Sequence, residues 1–541
     1  MRGLYFWEEW TQPYKRIYWL FFALFVLSLL IAIFNYILGL EYVIHWESIG
    51  DLDQLKLIAH SVTAGTIRLD IPLDNFVVFQ YFEGSNLMIN AFNGYIYLVA
   101  LFIGVNLVMA LLPSMPKVWF YAGMGGFIGF IVLLNIDQIM LFGQIDKTGM
   151  IIVLTMYLSA GYFFKEIKPK IGLSRRFIVF SVISGLIGIL FHQFAGVSDP
   201  FLYIANYGIF ASIIITILFI VFVAHEVIYG FLHLITNSNT IGSRNSLNHF
   251  IFISIFYLAY VWITYMHYTG QIKWDLIYFD PFFLAGLTFV LGIWGFKKRE
   301  NLFKEIFPFY PVGALFYLGF GIISINTLSY IFISANDPLI ETFEDAILYS
   351  QIGFGIMFFI YVVANFGPLL LLNKKVSKIA YQSRVLPFFI FRIGGFIVFG
   401  FTIYSANFLP YYQSMAGYYN HIGDIFMIEK KLDLAEEYYK EASVYEYQNH
   451  RSNYAMATLS RMKNDKYDEA YYLRNALLKK PSEFSYVNLS NIYLKNDQYF
   501  DGMFELRDAL SDYPDSYQIL NNLGYFYTKT DLADSSFYYF D

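Results

Sequence analysis

Eleven apolar segments divide most of this chain, each long enough to cross about 30 Å of hydrocarbon as a helix. They cover residues 17–40, 92–113, 118–137, 149–164, 177–197, 203–235, 249–268, 278–296, 305–334, 351–373 and 385–407. Segments like these must satisfy their backbone polar groups internally, because lipid offers no partner, so the expectation is helices. Composition agrees: only 14% of residues are charged, against roughly 25% in ordinary soluble domains. The first run, 17–40, follows Lys15-Arg16 and is too long for a signal-peptide core of about 7–15 residues, so it reads as an uncleaved first span.

Loop charge sets the orientation. With residues 1–16 placed inside, the inner segments hold 18 Lys and Arg, whereas the outer loops hold four: Lys56, Arg68, Lys147 and Lys273. The positive-inside rule then selects a cytoplasmic N-terminus. An odd number of spans carries the C-terminus to the extracytoplasmic, or periplasmic, side. The chain has no cysteine, which excludes disulfides, thiolate metal sites and a lipidated cysteine.

The one long outer loop, 41–91, contains TIRLDIPL and NFVVFQYF on either side of Asp74-Asn75. Those β-forming runs predict a small strand-bearing subdomain. Residues 408–541 differ from everything before them, with 20 acidic and 13 basic residues. Nucleic acid as a partner is disfavoured, since it needs clustered positive charge. Membrane lipid and a protein are the partners expected.

From about Ala416 the sequence repeats every 34 residues or so. Gly423, Phe426, Ala435, Tyr439 and Ala442 mark one unit, and Tyr454 and Ala470 a degenerate second, in which Arg461 and Arg474 replace large apolar residues. Leu489, Tyr493, Gly502, Ala509 and Pro514 mark a third, and Leu523, Gly524 and Tyr527 a fourth. This pattern resembles the tetratricopeptide repeat (TPR) superfamily, although Lys430, Asn464 and Asp497 stand where that family favours a turn glycine. The resemblance implies about four pairs of antiparallel helices whose groove, somewhere within 416–541, binds a protein partner. The last unit stops at Phe540-Asp541 inside its second helix, so further repeats or another chain are expected to cover its apolar end.

The fold expected is therefore all-α: a polytopic bundle over 17–407 after a cytoplasmic stretch 1–16, then a TPR α-solenoid over 408–541. The layout resembles bacterial multi-pass membrane proteins with a TPR tail, and the resemblance implies an inner, cytoplasmic membrane as its location.

Chemistry is sparse. Ionisable residues inside spans are costly and so point to function. Glu226 and Arg392 lie at similar depth and are expected to form an intramembrane ion pair. His225-Glu226 with His233 lacks the i, i+4 histidine spacing of a zinc helix, and neither a metal nor a cofactor is expected. The glycines of AGMGGFIGF (122–130) suggest close helix packing. Carboxylates after the first span, namely Glu41, Glu47, Asp51 and Asp53, resemble the loop acids of GT-C membrane glycosyltransferases, which would make them candidate catalytic bases. The leading expectation is a membrane-anchored TPR scaffold for a protein assembly. A lipid-linked sugar transferase comes second and a transporter third.

Overall fold

The computed structural model describes residues 6–8, 10–237, 245–274, 276–530 and 532–540. Of the segments that the charge count places inside, 1–5, 9 and 238–244 lie outside the described residues. The chain forms two compact units: residues 1–38 with 90–430, and residues 39–89 with 431–541.

The first unit is built of helices: α1 (Gln12–Leu38), α2 (Ala91–Leu111), α3 (Lys117–Leu133), α4 (Thr148–Tyr162), α5 (Leu173–Phe194), α6 (Pro200–Tyr207), α7 (Ile209–Val223), α8 (Glu226–Asn237), α9 (Ser246–Tyr268), α10 (Pro281–Lys298), the single turn α11 (Glu300–Phe303), α12 (Ala314–Ile333), α13 (Asp337–Leu371), α14 (Phe388–Ser405) and α15 (Leu409–Ile428). Among the described residues nine helices are long and apolar enough to cross a membrane; α3 is apolar but shorter, and α10 is not in that set. This is a multi-pass membrane protein.

Two expected segments take another form. Segment 203–235 is cut into α6, α7 and α8, with breaks at Gly208 and at Ala224-His225. Residues 335–350, which fall between two expected segments and carry Asp337, Glu341, Glu344 and Asp345, are nearly all the start of a 35-residue α13. At 1.5 Å per residue α13 is roughly 52 Å long, well beyond the hydrocarbon thickness, so its acidic turns need not enter lipid.

Helix α12 is buried along almost its whole length, packed by α1, α2, α7 and α13. Close approach of α2 depends on Gly104, where a Cβ would lie 2.5 Å from Ile323 Cγ1 and 3.0 Å from the Gly319 carbonyl. Polar side chains in this apolar setting are matched between helices. Asn326 Nδ2 donates to Ser28 Oγ at 2.8 Å, and Asn106 Nδ2 to Ser184 Oγ at 2.7 Å.

The second unit joins a hairpin, β1 (Trp46–Ala64) and β2 (Ile67–Gly84), to α16 (Leu432–Tyr445), α17 (His450–Met462), α18 (Lys466–Ala476), α19 (Glu483–Leu494), α20 (Tyr499–Asp512), α21 (Tyr517–Lys529) and α22 (Ala533–Phe540). The strands pair antiparallel from Trp46↔Gly84 to Ala64↔Ile67, with one irregularity at Ile58/His60. The turn lies at Gly65-Thr66, where Gly65 takes φ +65°, and Asp74-Asn75, between the two β-forming runs, falls inside the ribbon with Asp74 in register with Lys56. Glycine enters that region without the Cβ penalty that Asp and Asn carry.

Helices α17/α18, α19/α20 and α21/α22 pack as consecutive pairs. Lys430, Asn464 and Asp497, the residues found in place of turn glycines, all adopt φ between +57° and +59°. The helix starts recur too: Asn449, Ser482 and Ser516 each cap one by accepting a backbone N–H three residues on. Ala435, Tyr439, Ala442, Leu489, Ala509 and Leu523 are wholly buried, Ala470, Gly524 and Tyr527 are buried, Tyr493 is half-buried and Pro514 exposed. At Gly502 a Cβ would sit 2.3 Å from the Phe526 ring, so α20 and α21 need a glycine where they meet.

The boundary expected at 407/408 differs from the division between the units. Helix α15, with buried Gly423 and Phe426, belongs to the first unit, because Gly417 lets it close on Leu339 of α13 and its carbonyl accepts from Asn336 Nδ2 at 2.8 Å.

A lysine in the left-handed region costs about 1–2 kcal/mol. Lys430→Gly is therefore expected to stabilise the protein by about 1 kcal/mol once glycine's extra unfolded-state entropy is subtracted. Thermal unfolding of the detergent-solubilised protein should show a higher midpoint; an unchanged or lower one contradicts the strain.

Candidate functional site

The second unit uses one face of its helices to hold the end of its own hairpin. In an antiparallel pair, alternate residues of an edge strand turn their N–H and C=O away from the partner strand. Left bare, such an edge is a pairing hazard. Here Asn side chains supply what a third strand would. Asn522 accepts the Phe82 N–H at 2.6 Å and donates to the Phe82 carbonyl at 2.8 Å. Two residues on, Asn488 accepts the Gly84 N–H at 2.7 Å and donates to the Gly84 carbonyl at 3.2 Å. The Tyr454 hydroxyl then donates to the Ser85 carbonyl at 2.8 Å, and Thr458 Oγ1 accepts the Leu87 N–H at 3.2 Å.

Positions 454, 488 and 522 are 34 residues apart, so one site on α17, α19 and α21 recurs while the bound chain advances by a residue or two. Two further amides add to the grip: Asn491 donates to the Phe82 carbonyl and Asn521 to the Gln80 carbonyl, each at 2.8 Å. The contacts are to main chain throughout. Gly84 is the exception that depends on side-chain identity, since a Cβ there would lie 3.0 Å from the Tyr454 hydroxyl and 3.1 Å from Asn488 Nδ2.

Rings and charges flank this ladder. Trp46 stacks on Phe484 with centroids 4.3 Å apart, and Tyr81 on Tyr525 at 5.0 Å. Glu83 is 3.2 Å from Lys495 Nζ and 3.6 Å from Arg461, which also donates to the Gly84 carbonyl at 3.0 Å and pairs with Glu469 at 2.7 Å. Arg461, which made the second repeat look degenerate, thus serves the hairpin.

The proposed loop bases fall in the same unit. Asp51 accepts from Lys529 Nζ at 2.8 Å and from the Tyr525 hydroxyl at 2.5 Å, and Asp53 lies 3.3 Å from Lys529. The hydrogen bond from Lys529, then that from Tyr525, hold the Asp51 carboxyl below its ordinary pKa, which suits a structural anion better than a general base. Glu47 is exposed. Glu41 borders a cleft of about 600 Å³ with His45, Trp46, Glu483, Asp512 and Asp515.

In the first unit, Glu226 is wholly buried, but its partner is not Arg392. Arg299 Nη2 approaches Glu226 Oε1 at 2.5 Å, and both side chains are fully buried. Arg392 instead donates to the carbonyls of Val221 at 3.3 Å and Phe222 at 3.0 Å. The physical reason is the break after α7. Its last carbonyls have no helical donors, and a guanidinium satisfies them. Arg299, which sequence reasoning counted as a loop cation, sits one position past α10, where its side chain turns back into the helices. Gly295 makes room, since a Cβ there would lie 1.9 Å from Glu226 Oε2. No group of three or more His, Cys, Asp or Glu able to hold a metal occurs among the described residues.

Fold and site define a class: a multi-pass membrane protein with a helical-pair unit that binds extended backbone. No family model, curated protein or solved structure matches this chain.

Removing one amide strands a main-chain N–H of the hairpin, while the carbonyl keeps its second donor, Asn491 at Phe82 or Arg461 at Gly84. Asn488→Ala and Asn522→Ala are each expected to cost about 1–3 kcal/mol. The readout is faster limited proteolysis within residues 80–90; cleavage rates equal to the parent protein's contradict the ladder.

Proposed function

We propose that this protein anchors or organises a protein assembly at the extracytoplasmic face of an inner membrane, with the helix pairs of residues 408–541 acting as TPR-type repeats. On this reading the N-terminus is cytoplasmic and each of the eleven apolar segments crosses once. The excess of Lys and Arg in alternate loops, 18 against four, supports the orientation. Left-handed turns at 430, 464 and 497 and caps at 449, 482 and 516 support the repeat assignment.

The observation that carries the reading is the grip of Asn488, Asn522 and Tyr454 on the backbone of residues 82–85. A surface that reads an extended main chain is a peptide-binding surface. Its occupant here is the protein's own hairpin, so contact with a partner passes to the ribbon beyond it. On one face of that ribbon, Ile67, Leu69, Ile71 and Leu73 alternate along β2 and are exposed, with Val62 opposite Leu69. The other face mixes polar and apolar groups, with Arg68 paired to Asp70 at 2.8 Å and Ile58, Phe76 and Val78 exposed. An exposed apolar strip of this length marks an interaction surface.

The sugar-transferase reading gains no support, because Asp51 and Asp53 are already ion-paired with Lys529.

A crosslinking pull-down from membranes tests the proposal, comparing the intact protein with Leu69→Ser/Ile71→Ser and with a chain ending at Ala406. A discrete protein set recovered with the intact form and lost from both others is expected. Equal recovery with Leu69→Ser/Ile71→Ser would remove the ribbon from the interface, and equal recovery with the truncated chain would overturn the reading as a whole.

A further inference from the structure

A cavity of about 760 Å³ lies in the first unit among α2, α3, α7 and α12. Val108, Phe130, Leu218, Phe219 and Phe320 are typical of its lining, which is apolar almost throughout. The glycine run of α3 divides here. Gly123 is a packing glycine, since a Cβ would lie 2.4 Å from Leu112 Cδ2. Gly126 and Gly129 line the cavity, and a Cβ on either would meet nothing within 4 Å. No neighbouring helix needs those two glycines, and their effect is to widen the space.

We propose that this cavity holds one hydrocarbon chain of a membrane phospholipid whose headgroup lies at the Trp119 end. Water is a poor occupant, because the lining offers it almost no polar partner. The volume falls within the roughly 300–1,000 Å³ of ordinary ligand sites. One end supplies what a phospholipid headgroup requires. Met115, Trp119, Phe303, Ile306 and Phe307 line the cavity there, and Lys117 and Lys304, their sequence neighbours, are exposed. Tryptophan favours the level of the headgroups, and lysine complements phosphate. Lys117 also lies 3.2 Å from Glu166, leaving Lys304 as the stronger candidate for the phosphate.

The glycines provide the test, because filling the cavity from α3 displaces no neighbour at the Cβ position. The full chain would be extracted into detergent and its bound lipid identified by native mass spectrometry, for the parent, Gly126→Leu/Gly129→Leu, Leu218→Trp and Gly125→Leu. Gly125 is also free of Cβ contacts but does not line the cavity, which makes it the control. The expected result is one retained phospholipid on the parent and on Gly125→Leu, with its loss from both cavity-filling variants at unchanged melting temperature. Leu218→Trp fills the space from the opposite wall, so loss in both variants cannot come from damage to α3 alone. Retention in both variants, equal loss in Gly125→Leu, no phospholipid on the parent, or an isoprenoid lipid in its place would overturn the proposal.

Discussion

The second unit depends on how one strand edge is satisfied. An isolated two-stranded ribbon is marginal in water, and its outward N–H and C=O groups must find partners. Phe82 and Gly84 find them in the amides of Asn522 and Asn488, side chains set 34 residues apart. A single Asn carries both a donor and an acceptor, so it can replace the backbone of a missing strand. The spacing matters equally, because helix pairs repeating every 33–34 residues bring equivalent positions to successive steps of an extended chain. Residues that precede α2 in sequence are thereby built into a unit whose helices begin about 340 residues later.

The first unit meets a different constraint, the cost of polar groups among apolar helices. It answers with close pairing and with glycine. Glu226 has Arg299, Asn326 has Ser28, and Arg392 covers the carbonyls exposed where α7 ends. At Gly295 and Gly104 the missing Cβ admits a carboxylate in one case and a helix in the other. Gly126 and Gly129 share the composition of those sites without their contacts. Identical residues in one short motif therefore have opposite consequences, and only the positions of neighbouring helices separate them.

Much of the fold was legible in the sequence, for identifiable reasons. Hydrophobic runs of about 20 residues mark apolar helices because bilayer thickness sets a length. The 34-residue period marks the helix pairs, and Lys430, Asn464 and Asp497 stand at the turn positions where the backbone is left-handed. Local signals of this kind survive without tertiary information. What failed was long-range. The hairpin turn at Gly65 follows from the continuous pairing of β2, which no local signal in the two β-forming runs discloses. Arg299 belongs by sequence to the basic inner segment KKRENLFK (297–304) and by structure to the buried interior. The Asn ladder does not follow from the apolar positions that define the repeats, although Tyr454, Asn488 and Asn522 carry the same period. Nothing local in those residues says that an extended chain lies against them.

Hydrogen exchange followed peptide by peptide on the intact protein measures the central claim most directly. If helix side chains replace the missing strand, the amides of residues 80–87, including Phe82, Gly84 and Leu87, exchange far more slowly than those of residues 67–75 in the same β2 ribbon. Exchange at one common fast rate along the whole of residues 67–87 would contradict the account.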